Sequence, residues 1–297
     1  MKDLPAGTLI LIIVLSLLLL AVIVISIRAF AEPFILKVTH RKMFPAGNND
    51  GFKRQDGSSA PSGSTPGLRL FFFTDLHADI CRISSSKLIS AIRDAHASSP
   101  IDAVVFGGDI CNRKKINLKG LAYLEEISTA CKELGISFYG VTGNHDIRYD
   151  PSEQKCPFIC IENEQIAFTS HATGKTVILC GVDDSGRRER VWYKVPSVPS
   201  DSACVLVAHN PDAILHFDED EHVDFMLSGH FHAGQVKMPF RLEFLVLRSD
   251  HLPQQGVIEG IFEHRGTTLF ISRGLGCNKL PIRLGALPEA SIVEIYV

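Results

Sequence analysis

Strong charge of one sign is missing from this chain. Its 297 residues carry 30 Lys and Arg against 33 Asp and Glu, for a formal net charge of −3. That balance argues against a nucleic-acid partner, which calls for a basic patch or a strong positive excess. Paired cysteines are missing too. The eight cysteines stand at 81, 111, 131, 156, 160, 180, 204 and 277, with no Cys-x-x-Cys spacing. Such scatter excludes a thiolate metal site and a disulfide framework, and suits small buried hydrophobes in a reducing compartment. No internal repeat of fixed period occurs, which excludes a solenoid or a propeller. Nothing in the composition points to a protein partner.

Charge is also absent from one long stretch. Residues 4–27, LPAGTLILIIVLSLLLLAVIVISI, hold no charged side chain. As a helix this run spans roughly 36 Å, enough to cross a hydrocarbon core of about 30 Å with some tilt. A cleaved signal peptide has a shorter apolar region of about 7–15 residues, although a cut after Ala31 is conceivable here. The run reads as an uncleaved transmembrane helix. Only Lys2 precedes it, whereas Arg28, Lys37, Arg41 and Lys42 follow, so the positive-inside rule puts the remainder of the chain in the cytoplasm. The expected location is the inner membrane, single-pass, with the catalytic domain facing the cytoplasm.

Residues 33–44 read as partly extended through Phe34–Val38, and apolar mass is scarce in residues 46–67, AGNNDGFKRQDGSSAPSGSTPG, so 28–67 is taken as a juxtamembrane segment followed by a flexible tether. The globular domain is expected at 68–297. It opens with alternating elements. Strands are expected at Leu68–Phe73, Ala103–Phe106 and Ser137–Val141, with helices at Ser85–Ala97 and Leu118–Leu134 between them. That alternation predicts a parallel sheet with crossover helices, an α/β fold. Later strand-like runs are Val177–Val182, Val205–Ala208, Phe225–Leu227, Thr268–Ile271 and Ile292–Val297.

Five of these runs end in polar residues of one kind: Asp75-Leu76-His77, Gly107-Gly108-Asp109, Gly143-Asn144-His145-Asp146, Ala208-His209, and Gly229-His230-Phe231-His232. One such residue at a strand end is ordinarily a turn former or a cap. Five such endings in one domain are not demanded by any packing rule. In open α/β sheets ligands gather beyond the carboxyl ends of strands, and a mixed carboxylate, imidazole and amide set suits Mn, Fe or Zn. A site for two divalent ions needs a bridging carboxylate and several imidazoles around it. The adjoining glycines let backbone approach closely in conformations other residues disfavour.

At these motifs the sequence resembles the calcineurin-like metallophosphoesterase family, from Leu68 to the C-terminus. The resemblance implies a two-sheet β-sandwich flanked by helices. It implies that Asp75, His77 and His232 hold one metal, that Asn144, His209 and His230 hold a second, and that Asp109 bridges them. The ions, Mn first with Fe or Zn as alternatives, would activate a water against phosphorus. His145 would contact the phosphoryl group or protonate the leaving oxygen, oriented by Asp146. A narrower resemblance rests on GHFHAGQVKMP and SRGLGCNKLPIRLGALPEASIVEI. These stretches look like membrane-associated phosphodiesterases, including UDP-2,3-diacylglucosamine diphosphatases of lipid A synthesis, and imply a lipid-linked phosphorylated substrate. The alternative is a general phosphodiesterase or phosphatase on a soluble or envelope phosphoester. Arg113, in the basic run Asn112–Lys115, and Arg273 and Arg283 are candidate phosphate contacts, because a guanidinium suits bidentate phosphate binding. Residues 238–247, with Phe240, Phe244, Leu245 and Leu247, read either as an ordinary buried element or as a lipid-facing one.

Overall fold

The computed structural model describes residues 5–47, 50–55, 64–112, 118–146, 155–183, 195–218, 221–247 and 250–297. The apolar run forms helix α1, Ala6–Ala31, with no buried residue. It is long and apolar enough to cross a membrane. The helix outlasts the uncharged run by a turn. Arg28 pairs with Glu32 one turn on, at 2.7 Å, and Pro33 then lies in the 3-10 turn Glu32–Phe34 that ends it.

The chain next forms β1 (Lys37–Met43) and β2 (Lys53–Arg54). β3 (Leu68–Phe73), α2 (Ser85–Ser98), β4 (Ala103–Phe106), α3 (Leu118–Leu134) and β5 (Ser137–Gly140) follow within one residue of expectation. Then come β6 (Ile159–Cys160), β7 (Gln165–Thr169), β8 (Thr176–Gly181), β9 (Ala203–Val207) and β10 (Phe225–Ser228). The short helices α4 (Leu242–Leu247) and α5 (His251–Gln254) precede β11 (Gly260–His264), β12 (Thr267–Ile271) and β13 (Glu289–Ile295).

Two sheets result, with strand orders β1-β13-β3-β4-β5-β6 and β2-β11-β12-β10-β9-β8-β7. Phe72, Val105, Val205, Leu227 and Phe270 belong to the core packed between them. Leu88, Ile92, Leu124 and Ile127 seat α2 and α3 on the outer face of the first sheet. Met226, Phe231, Phe244 and Leu252 cover the outer face of the second. Strands such as β3 and β4 are buried at every residue, as expected of parallel strands covered on both faces.

The expected N-terminal boundary at residue 68 comes too late. β1 pairs along its length with β13, Lys37 opposite Glu289 through Met43 opposite Ile295. Thr39 and Arg41 both reach the buried carboxylate of Glu289. β2 pairs with β11 in the other sheet. So 37–43 and 53–54 are edge strands of the domain, and residues 56–63 of the expected tether lie outside the described residues. None of the eight cysteines is in a disulfide.

Candidate dimetal site

β3, β4 and β5 run parallel in one sheet, and β9 and β10 run parallel in the other. Their carboxyl ends open onto one edge of the sandwich. There the five polar motifs meet. His77 Nε2 lies 3.1 Å from His232 Nε2, and His232 Nε2 lies 3.3 Å from an Asp75 carboxylate oxygen. His209 Nε2 lies 3.3 Å from His230 Nδ1. Asp109 Oδ2 stands between the two groups, 3.4 Å from His77 Nε2 and 3.3 Å from His209 Nε2. Asp75, His77 and His232 form one constellation able to hold an ion, and Asp75, Asp109 and His209 form another.

The backbone is bent to make this possible. Asp75, His77, Asp109, His230 and His232 all adopt left-handed conformations, with φ of 53°, 41°, 62°, 69° and 51°. Each costs a non-glycine residue about 1–2 kcal/mol, and strain of this kind collects at functional sites. Two glycines serve by size. A Cβ on Gly143 would stand 2.3 Å from Asp109 Oδ1, and one on Gly229 would stand 2.3 Å from Asp75 Oδ2. At these two positions the requirement is space for a carboxylate.

Hydrogen bonds assign the imidazole tautomers. His209 Nδ1 donates to Gly107 O at 2.8 Å, which frees Nε2 as a lone pair. His230 Nε2 donates to Asp250 at 3.2 Å, which frees Nδ1. A partner of this kind fixes a ligand's ring and raises its basicity. Asp250 stands in no motif, and its role follows only from the packing of the segment that carries α4 and α5. The amide oxygen of Asn144 is buried with no hydrogen-bond partner. That orphaned acceptor, two buried carboxylates and four imidazoles with converging nitrogens fit divalent cations.

Electrostatics agree. Burial opposes ionisation of Asp109, but His209, His77 and His145 outweigh it and hold the carboxyl well below the usual range. Burial pushes His77 below the ordinary histidine value, against the pull of Asp109 and Asp75. These directions favour an ionised Asp109 beside a neutral His77, the protonation states a metal requires.

His145 lines the cleft beside the cluster, its ring edge-on to His77 at 5.0 Å. The expected orienting role of Asp146 is corrected. His145 Nδ1 donates to the backbone oxygen of Asn112 at 2.6 Å. The Asp146 carboxylate instead accepts from the amides of Asp109, Ile110 and Gly143 at 2.9 Å each. It staples the β4 loop, which carries Asp109, to the β5 loop, which carries Asn144. Burial and then the charge of Asp109 push its carboxyl up to about 7.

The arginine expectations are also revised. Arg283 is fully buried. Its guanidinium bonds the carbonyls of Arg273, Gly274, Gly276 and Ala286 and lies 3.4 Å from His232 Nδ1. It supports the loop from within and has no face for substrate. Arg273 is engaged by Glu259 and approached by Glu289. Arg113 lies outside the described residues, as do Lys114 and Lys115. Residues 238–247 divide between the two readings, for Phe244 is buried and Phe240 exposed.

The profile of the calcineurin-like phosphoesterase family matches residues 68–234. Over 274 residues the chain is 28% identical to a Bacillus subtilis protein named as uncharacterized metallophosphoesterase YkoQ, covering 89% of this chain and 95% of that one. An uncharacterized metallophosphoesterase of Helicobacter pylori J99 is 28% identical over 77% of this chain and 60% of its own length. A zebrafish protein named as a transmembrane protein with metallophosphoesterase domain is 26% identical over 78% of this chain and 54% of its own. With the profile spanning more than half the chain and the five motifs gathered at one sheet edge, this protein belongs to the calcineurin-like phosphoesterase family and is a metal-dependent phosphoester hydrolase with a dimetal site.

Proposed function

We propose that this enzyme hydrolyses the pyrophosphate of a nucleotide-linked glycolipid, UDP-2,3-diacylglucosamine, to UMP and a lipid monophosphate. In this reading α1 anchors it in the inner membrane with the hydrolase domain on the cytoplasmic side. The observation that carries the reading is the cleft beside His145 and His232. It has a volume of about 590 Å³ and a mixed lining. Val236, Met238, Leu280 and Ile282 offer apolar wall, while Gln235 and Lys279 offer polar and cationic groups. A substrate with a charged headgroup and an acyl tail has both demands.

Asp75, His77 and His232 would hold one ion, Asn144, His209 and His230 the other, and Asp109 would bridge them. Mn is the leading choice. Two bound ions supply an activated water and neutralise charge on the phosphoryl oxygens. The chain's own residues do the rest. Asn112 O holds the proton on His145 Nδ1, so Nε2 is the nitrogen available to contact the phosphoryl group or protonate the leaving oxygen. Such general-acid assistance contributes about 10²–10⁴-fold. Asp250 and Gly107 O keep His230 and His209 in the tautomers that ligation needs.

The test is UMP release by the full-length, Mn²⁺-loaded protein in detergent. His145→Ala and a chelated sample run beside it, with a small chromogenic diester as comparison. UMP release that disappears in both controls supports the assignment. Metal-dependent cleavage of the diester without UMP release refutes the lipid substrate and leaves a general phosphodiesterase.

A further inference from the structure

Met238 and Leu280 line the cleft, Phe240 and Leu242 follow Met238 in the chain, and all four are large apolar side chains left in solvent. Met238, Phe240, Leu242 and Leu280 are 42, 89, 43 and 59% exposed. Single exposed leucines are ordinary, but several around one cleft mouth call for a reason. Phe240 stands out furthest. Its backbone is left-handed at φ 58°, and so is that of Arg241 at φ 58°. That conformation is disfavoured for a bulky residue. Here it does not bury the ring. Met238 N donates to the buried Glu243 carboxylate at 3.0 Å, which closes the turn that projects Phe240 outward.

The ridge is tied to the end of α1 by a short path of hydrogen bonds. Ala29 O accepts from Arg283 N at 3.0 Å, and Glu32 accepts from Gly285 N at 2.6 Å. Leu284, between them, pairs with the next segment, donating to Gln235 O at 2.9 Å and accepting from Lys237 N at 3.0 Å. Met238 follows directly. Two paired segments at about 4.8 Å spacing span roughly 10 Å. A bilayer that α1 leaves near Arg28 therefore lies within reach of the ridge, since interfacial segments sink about 5–10 Å into the headgroup–acyl boundary. Arg241 and Lys279 are exposed beside the apolar residues, the mixture of cation and apolar side chain that interfacial segments show.

We propose that Met238, Phe240, Leu242 and Leu280 form a second membrane contact, which enters the bilayer that α1 crosses and seats the cleft mouth on its surface. The occupant of the ridge is the phospholipid interface itself. The inference rests on the anchor reading of α1 and is independent of which phosphoester is cleaved.

The experiment uses the full-length protein reconstituted into phosphatidylethanolamine and phosphatidylglycerol vesicles. Trp192 is the only tryptophan, so a Trp192→Phe background carries a single reporter. Phe240→Trp and Leu280→Trp test the ridge at two exposed positions where packing is not disturbed. Ile159→Trp is the control, on β6, at the sheet edge opposite β1. Blue-shifted emission at 240 and 280, quenched by acyl-brominated lipid at a depth of about 5–10 Å, with position 159 unquenched, is the expected result. Unquenched emission at 240 and 280 from protein that resists carbonate extraction overturns the ridge contact alone. Release by carbonate overturns the anchor and the ridge together, while UMP release in detergent reports on the substrate separately.

Discussion

Replacing Asp146 separates two accounts of the catalytic loop. If Asp146 is a staple, its removal damages stability and metal loading before it damages chemistry. Oδ2 accepts from the amides of Asp109 and Gly143, and Oδ1 from that of Ile110. Asn keeps the shape but presents one acceptor and one amino group. With its oxygen at the Oδ2 position, the amino group faces the Ile110 amide, donor against donor, and that amide keeps only its longer contact to the oxygen, at 3.2 Å. One buried amide left unsatisfied costs about 1–3 kcal/mol. At roughly 2–4 °C per kcal/mol for a domain of this size, Asp146→Asn should lower Tm by about 2–12 °C. Asp146→Ala strands three amides at about 3–9 kcal/mol, which rivals the whole stability of an ordinary domain. The assay is thermal unfolding with metal content and kcat, all at pH 8, above the raised value near 7 where the carboxylate is ionised. Expected is a lower Tm, a lower metal content, and a turnover per loaded site close to wild type for Asn. A kcat loss of about 10²–10⁴ with unchanged Tm and metal content would refute the staple and restore Asp146 as the orienting partner of His145.

Three further outcomes follow from the same geometry. Gly143→Ala and Gly229→Ala should each displace a metal-facing carboxylate, because the added methyl would sit 2.3 Å from it; metal analysis should find depleted sites in folded protein, and full occupancy would contradict the packing argument. Asp250→Ala should weaken metal affinity about 10–100-fold, as loss of a histidine's outer partner does, read by chelator competition, with unchanged affinity as the opposing result. Glu259 is partly buried, yet Lys237 and Arg273 hold its pKa below the ordinary glutamate value. A lowered folded pKa stabilises above the unfolded value of about 4.5 and loses that contribution as pH falls through the folded one. Denaturant midpoints of Glu259→Gln should therefore depend less on pH below 4.5 than those of wild type, and identical acid profiles would contradict the ion cluster.

Much of the architecture is legible in the chain because local signals coincide. Leu68–Phe73, apolar but for Arg69, and Ala103–Phe106 are short runs closed by Thr74-Asp75 and Gly107-Gly108, and they are wholly buried strands. Helices α2 and α3 carry apolar residues at helical spacing, and those residues face the core. The edge strands were legible only in part, as an extended look at 33–44, for the converse reason. β1 reads Lys-Val-Thr-His-Arg-Lys-Met, with one exposed face, so its membership depends on Glu289 and the β13 backbone, some 250 residues away. β2, β6 and β7 are short or polar and gain their identity only from partners.

The division is the same at the site. Sequence alone supplied the candidate donors and their order, because five motifs at strand ends contain carboxylates, imidazoles and an amide. Tertiary structure decided what each neighbour does. Asp146 follows His145 in the chain but turns to three backbone amides, while the carbonyl of Asn112 holds the histidine. Arg283 looks like a phosphate contact in sequence and is a buried clasp in space. Asp250 carries no signal and supports His230. Hydrogen-bond direction and burial depend on which segments pack together, and a linear spacing contains no information about that.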